Sequence, residues 1–231
     1  MNIIALIGIG MGNPKNVTME GIAYIKNSDL IIGSNRLLEP FRTMIKSEAN
    51  IISAESAKEI ICLIQDHIVG DNINIAVLLS GDCGFFSESE KIVDIFAQDP
   101  DYEVKCISGI SSLSYFSNRI NVPYHDTVNI NLKGQEEKII SYIMNNKRVF
   151  CVNGGDVEKL LGELIKARAI NQLSENVRIY IGERLSYDDE KIIVSSLKDI
   201  HRYKNEISKM SSLSVFLFEN DDAKCSEISW L

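Results

Sequence analysis

The run Asn74–Leu79 (NIAVLL) is apolar at every position after its first. A strand with one wet face alternates apolar and polar residues, so a strand without a polar face is one covered on both sides. That is the position of a parallel strand between two helical layers. Similar short runs recur at Asn2–Ile9, Asp29–Ile32, Asn50–Ser53 and Glu103–Ile107. Helical spacing fills the gaps between them. A helix entered near Thr18 carries Met19, Ile22, Ala23 and Ile25, with Glu20 in its first turn. A second covers Arg36–Lys46, interrupted early by Pro40, and a third covers Ser56–Val69 with Ile60, Ile61, Leu63, Ile64 and Ile68 on a broad apolar face. A fourth runs through Ile92, Ile95 and Phe96, and a fifth runs from about Ser111 to before Pro123.

Beyond Pro123 the spacing predicts strands Thr127–Leu132, Arg148–Val152 and Val177–Gly182, with helices Glu136–Asn145 and Val157–Arg168 between them. Two further strands, Lys191–Ser195 and Leu213–Phe218, are joined by only a short helical piece, Leu197–Tyr203. The predicted fold class is therefore α/β in two domains. A parallel-sheet domain spans 1–122 and a mixed-sheet domain spans 123–231.

Charge narrows the partners. Lys plus Arg number 24 against 32 Asp plus Glu, a net charge of -8. Binding to DNA or RNA backbones needs a basic footprint, so no nucleic-acid partner is expected. A locally positive site for a small anion is still compatible with this balance. The five cysteines, at 62, 83, 106, 151 and 225, include no C-x-x-C pair, and none clusters with His at zinc spacing. Reduced thiols and no protein metal site are the expectation. The apolar N-terminus has no Lys or Arg before Lys15, and Gly8, Gly10 and Gly12 interrupt it, unlike a signal peptide. No stretch is long enough to span a bilayer. A soluble cytoplasmic protein is expected.

Three loops that follow parallel strands carry the chemistry. The first reads Gly8-Ile9-Gly10-Met11-Gly12-Asn13-Pro14. It departs from the dinucleotide fingerprint G-x-G-x-x-G, because the third glycine comes too early and Pro14 and Asn16 delay the helix to Thr18. A pyrophosphate would then lack the helix N-terminus that usually receives it. A ligand loop and a simple tight turn both fit. The second, Ser80-Gly81-Asp82-Cys83-Gly84-Phe85-Phe86-Ser87, sets a carboxylate between glycines. Asp82 there accepts from ribose hydroxyls or a cationic group, or else forms an Asx-turn capping the next helix. The third, Ser108-Gly109-Ile110-Ser111-Ser112, offers hydroxyls that cap a helix or bind a polar ligand.

The segments 7–38, 79–87 (LSGDCGFFS) and 108–126, in this order and spacing, resemble the tetrapyrrole (corrin/porphyrin) methylase family. VNGGDVEKL at 152–160 and GERLSYDDEKI at 182–192 are similar to its cobalt-precorrin-7 C(5)-methyltransferase, or precorrin-6Y methylase-like, branch. The resemblance covers essentially the whole chain. It implies two α/β domains with an active cleft between them, a homodimer, S-adenosylmethionine as cofactor and S-adenosylhomocysteine as product. The implied substrate is a corrinoid of cobalamin biosynthesis, with cobalt only as part of that substrate. Since the sequence ends at Leu231, the C(15)-methyltransferase activity fused to some relatives is expected on a separate chain.

Carried onto these residues, the family's cofactor contacts fall on Gly10, Met11, Gly81, Asp82, Phe85, Ser111 and Ser112. Looser alignment adds Gly154, Gly155 and Leu185. Cys83 stands where the family has proline, which is expected to loosen the loop without removing Asp82. The substrate's carboxylates call for cations, and the candidates are Arg36, Arg119, His125 and Arg184. Each competes with a reading as solvated surface charge, and His125 equally as a structural histidine. No catalytic base is assigned. Alternatives are a sister methylase acting on another tetrapyrrole carbon, a diphthine precursor or ribosomal RNA, a nicotinamide-dependent oxidoreductase, and a non-enzymatic ligand sensor.

Overall fold

Ile4 and Leu6 lie in one apolar cluster and Ala5 and Ile7 in another, so the first strand, β1 (Asn2–Gly8), is buried on both faces. The same division separates Ile75, Val77 and Leu79 from Ala76 and Leu78. This two-sided burial is the physical reason for the unbroken apolar run. The computed structural model describes residues 1–67, 70, 72–132, 134–152, 156–211 and 213–224. Contacts gather the chain into two units, Met1–Ser112 and Leu113–Leu231.

The first unit continues through α1 (Met19–Asn27), β2 (Leu30–Gly33), α2 (Asn35–Leu38), β3 (Asn50–Ser53) and α3 (Ala57–His67). It then forms β4 (Asn74–Leu79), α4 (Ser89–Phe96) and β5 (Tyr102–Ile107). All its strands are parallel, in the order β3-β2-β4-β1-β5. The loops after β4, β1 and β5 therefore leave neighbouring strands at one edge of the sheet, where ligands of open α/β sheets bind.

Two local features decide how those loops run. Pro14–Asn16 form a 3-10 turn capped by Asn13, and α1 starts only after Thr18, whose hydroxyl accepts from Gly21 N–H at 3.1 Å. The expected delay of the helix is thus present. The single helix expected over Arg36–Lys46 is not. After α2 the chain tightens into a 3-10 turn, Glu39–Met44. Pro40 has no N–H to give the Arg36 carbonyl, and its ring crowds that carbonyl, so the α-helix cannot continue.

The second unit contains most of α5 (Ser112–Arg119), then β6 (Thr127–Asn131), α6 (Ile139–Asn145), β7 (Arg148–Val152) and α7 (Val157–Ala169). It ends with β8 (Arg178–Glu183), β9 (Lys191–Ser196), α8 (Lys204–Ile207) and β10 (Ser214–Glu219). Its sheet has the order β6-β7-β10-β8-β9, and only the β6–β7 pair is parallel. The expected mixed sheet is what the second half forms.

Candidate functional site

Three backbones meet at the carboxyl edge of the first sheet. Gly10 and Gly81 exchange hydrogen bonds, Gly10 N–H to Gly81 O at 3.1 Å and Gly81 N–H to Gly10 O at 2.6 Å. Both glycines have positive φ, +65° and +75°, which a side chain would strain. The third loop packs in just as closely. A Cβ placed on Gly109 would lie 2.3 Å from both Gly8 O and Gly81 O. A Cβ on Gly8 would lie 2.8 Å from Gly109 N and Gly81 O. Glycine is required there for close approach, which the spacing of the motifs does not reveal.

Asp82 joins the second loop to the third. Its Oδ1 accepts from Gly84 N–H at 2.8 Å and its Oδ2 from Gly109 N–H at 2.9 Å. The first bond makes an Asx-turn, but not one that caps the next helix as expected from sequence, because that helix begins only at Ser89. The second was not foreseen, and it makes the carboxylate a tie between loops. Ser111 and Ser112 follow two and three residues after Gly109 and are half-buried. Phe85 is half-buried and stands edge-on to Phe86 at 4.9 Å. The first loop is held from a second side by Arg36, whose Nη1 donates to Met11 O at 3.1 Å and whose Nη2 donates to Ser80 Oγ at 3.4 Å. The structure thus brings Gly10, Met11, Gly81, Asp82 and Arg36 into one bonded group, with Phe85, Ser111 and Ser112 on its loops.

Cys83 is buried, its thiol 3.3 Å from Leu6 O and 3.4 Å from Ile107 O. Burial, with smaller contributions from Cys106 and Asp82, pushes the thiol up to about 12. It is a neutral donor that anchors the loop to β1 and β5, and not a nucleophile. Where proline would have stiffened this turn through its φ, the thiol holds it through the core.

In the second unit, Leu185 is buried at 2% exposure and packs on Gly182. It belongs to the β8–β9 turn, in which Arg184 and Ser186 both have positive φ, 49° and 70°. Glu190 holds this turn. Its Oε2 accepts from Ser186 N–H at 2.8 Å and Tyr115 Oη at 2.9 Å, and its Oε1 from Arg119 Nε at 2.8 Å. Burial raises its carboxyl, but the bonds from Ser186, Arg119 and Tyr115 outweigh that and leave it below its ordinary value. Sequence reasoning singled out Arg119 and missed Glu190, because nothing distinguishes one acid within Asp188-Asp189-Glu190 from the next. Arg184 pairs with Asp189 at 2.6 Å and lies 4.9 Å from the Tyr187 ring centre. His125 lines a separate shallow hollow with Asn121, Pro123 and Tyr124. Gly154 and Gly155 lie outside the described residues. Among the described residues no acidic, His or Cys group is disposed to hold a metal, and no helix is long and apolar enough to cross a membrane.

The sequence profile of the tetrapyrrole (corrin/porphyrin) methylases matches residues 4–201. A protein of Methanocaldococcus jannaschii described as "probable cobalt-precorrin-7 C(5)-methyltransferase" is 30% identical over 95% of this chain and 99% of its own length. A diphthine synthase of Saccharolobus islandicus is 23% identical over 88% of this chain and 89% of its own. The uroporphyrin-III C-methyltransferase of Thermus thermophilus, solved with S-adenosyl homocysteine, has the same fold, with a TM-score of 0.69 at 14% identity over 94% of this chain and 96% of that one.

Proposed function

The chain belongs to the tetrapyrrole methylase family, is a methyltransferase, and from that premise we propose that it methylates C(5) of cobalt-precorrin-7 with S-adenosylmethionine. The observation that carries this reading is the 30% identity to the C(5)-methyltransferase along nearly the full length of both chains. A diphthine precursor is the second reading, favoured by the 23% relative. The proposal includes a cytoplasmic homodimer and a corrinoid that brings its own cobalt.

When bound, S-adenosylmethionine supplies an electrophilic methyl group on sulfonium sulfur. The residues of the first unit proposed to hold it are Gly10, Met11, Gly81, Asp82, Phe85, Ser111 and Ser112. The fit rests on the backbone cradle. Gly8 and Gly109 let the three loops close on one another, and at Gly81 nothing lies within 4 Å of where a side chain would stand, so that side of the loop is open to a ligand. The acceptor carbon of a corrinoid is already electron-rich, so what this chain must supply is position and a shield from water, not an activated nucleophile. The neutral thiol of Cys83 agrees with that division of labour. Arg119 and Arg184, each tied to a carboxylate, are proposed to meet the acceptor's acidic arms.

S-Adenosylhomocysteine should therefore stabilise the folded protein, and nicotinamide dinucleotides should not. At about 100 times its dissociation constant a ligand adds about 2.7 kcal/mol. For a chain of this size that is a rise in melting temperature of about 5–10 °C. NAD and NADP at the same concentration should give almost none, because the helix that would receive their pyrophosphate begins only at Met19. A shift with NAD and none with S-adenosylhomocysteine would replace the methylase chemistry with oxidoreduction.

A further inference from the structure

Beside the bonded loops, on the β2–β3–β4 side of the same unit, lies a hollow of about 300 Å³. Ser34, Ser56, Ser80, Arg36 and Phe86 line it. We infer that this hollow seats one carboxylate arm of the methyl acceptor and that Phe86 is the platform for the acceptor's conjugated ring. The inference rests on the tetrapyrrole reading of the acceptor and adds to it a specific subsite.

Size sets the first limit. About 300 Å³ is the lower bound for a drug-sized ligand, so the hollow admits an arm and not a macrocycle. Chemistry sets the second. Arg36 is half-buried and kept in place by Met11 O and Ser80 Oγ, and a guanidinium offers five N–H donors in a planar fork suited to a carboxylate. Ser34 precedes α2 yet makes no capping bond there, so its hydroxyl is available to the hollow. Two acids also line the space. Glu88 is already committed, accepting from Ala57 N–H at 2.6 Å and from Lys91 Nζ at 2.9 Å. Glu55 is exposed, so solvent and salt weaken its repulsion of a carboxylate seated on Arg36 without removing it, and a second anion would meet it as well. The hollow is thereby matched to one carboxylate.

Phe86 supplies the independent observation. It has φ +49°, rare for a bulky residue, and is 50% exposed. Its edge-on contact with Phe85 leaves half of the residue in water on a strained backbone, and such strain persists where a ligand uses the side chain. The residue lines the hollow, where a conjugated ring attached to the seated arm can stack on its side chain.

The test uses the whole protein with two probes, uroporphyrin III as the free acid and its fully esterified form, titrated by absorbance in parallel with S-adenosylhomocysteine. The wild type should prefer the acid by about tenfold or more, the loss expected when a charge-assisted bond is removed. Arg36→Gln should erase that preference. Phe86→Gly, which relieves the backbone and so keeps the fold, should weaken both probes and leave S-adenosylhomocysteine binding within about twofold. Glu55→Gln should tighten the acid. Unchanged acid binding in both Arg36→Gln and Phe86→Gly overturns the subsite while leaving a corrinoid methylase standing. Parallel loss of S-adenosylhomocysteine in Phe86→Gly overturns it too, by assigning the ring to the cofactor. No acid binding by the wild type overturns the subsite, and if corrinoids are also not methylated, the acceptor reading falls with it.

Discussion

Gly109→Ala should cost the protein its site and much of its stability. The new methyl would stand 2.3 Å from two carbonyl oxygens, Gly8 O and Gly81 O, far inside any real contact. Neither oxygen can retreat cheaply. Gly8 ends β1, and Gly81 is bonded to Gly10 in both directions. Overpacking of a tight interior costs about 1–3 kcal/mol, and backbone that cannot yield puts this case at about 3 kcal/mol or more. A melting temperature lower by about 6–12 °C follows for a chain of this size. S-Adenosylhomocysteine binding should be lost in the fraction that still folds, since the third loop can no longer close on the other two. Gly162→Ala is the internal control. It lies in α7 with nothing within 4 Å of the added methyl, and alanine there should stabilise by about 0.5–1 kcal/mol. Equal melting temperatures for the two variants would show that the three loops do not pack as described.

Asp82→Ala should lower the affinity for S-adenosylhomocysteine about ten- to a hundredfold. A carboxylate accepting from backbone N–H groups is worth about 1.5–3 kcal/mol per bond, and Asp82 makes two such bonds, to Gly84 and Gly109. The alanine variant leaves both N–H groups without this acceptor and lets the second and third loops drift apart. Asparagine separates charge from tie. Its single carbonyl oxygen can satisfy one of the two N–H groups, because its amide nitrogen only donates. Affinities should therefore rank wild type, Asp82→Asn, Asp82→Ala. Calorimetric titration that finds wild-type affinity in the alanine variant would remove this loop from the cofactor site.

Patterns of single residues made much of this architecture readable. The five apolar residues of Asn74–Leu79 required a strand covered on both sides, and β4 is in the middle of its sheet. Thr18, with Pro14 and Asn16 before it, marked the late start of α1, because caps and prolines act over a few residues. Pro40 was read too leniently, and the chain pays its missing N–H with a 3-10 turn. What stayed illegible depends on partners distant in sequence. Gly109 looks like any loop glycine until Gly8 and Gly81 come within contact of it. Glu190 looks like its two acidic neighbours until Tyr115, Arg119 and Ser186 turn towards it. Arg36 looked like a cation for a substrate, and no local pattern told that it also holds the Met11 carbonyl.

Methyl transfer itself is the most direct measurement. Purified protein incubated with S-adenosylmethionine and cobalt-precorrin-7 should add the mass of one CH2 to the corrinoid, with one S-adenosylhomocysteine formed per acceptor and the methyl located at C(5) by magnetic resonance. Under the same conditions the Asp82→Ala variant should lose most of this turnover. No mass gain on any tetrapyrrole, together with methylation of a diphthine precursor, would contradict the corrinoid assignment and leave this chain a methylase of another acceptor.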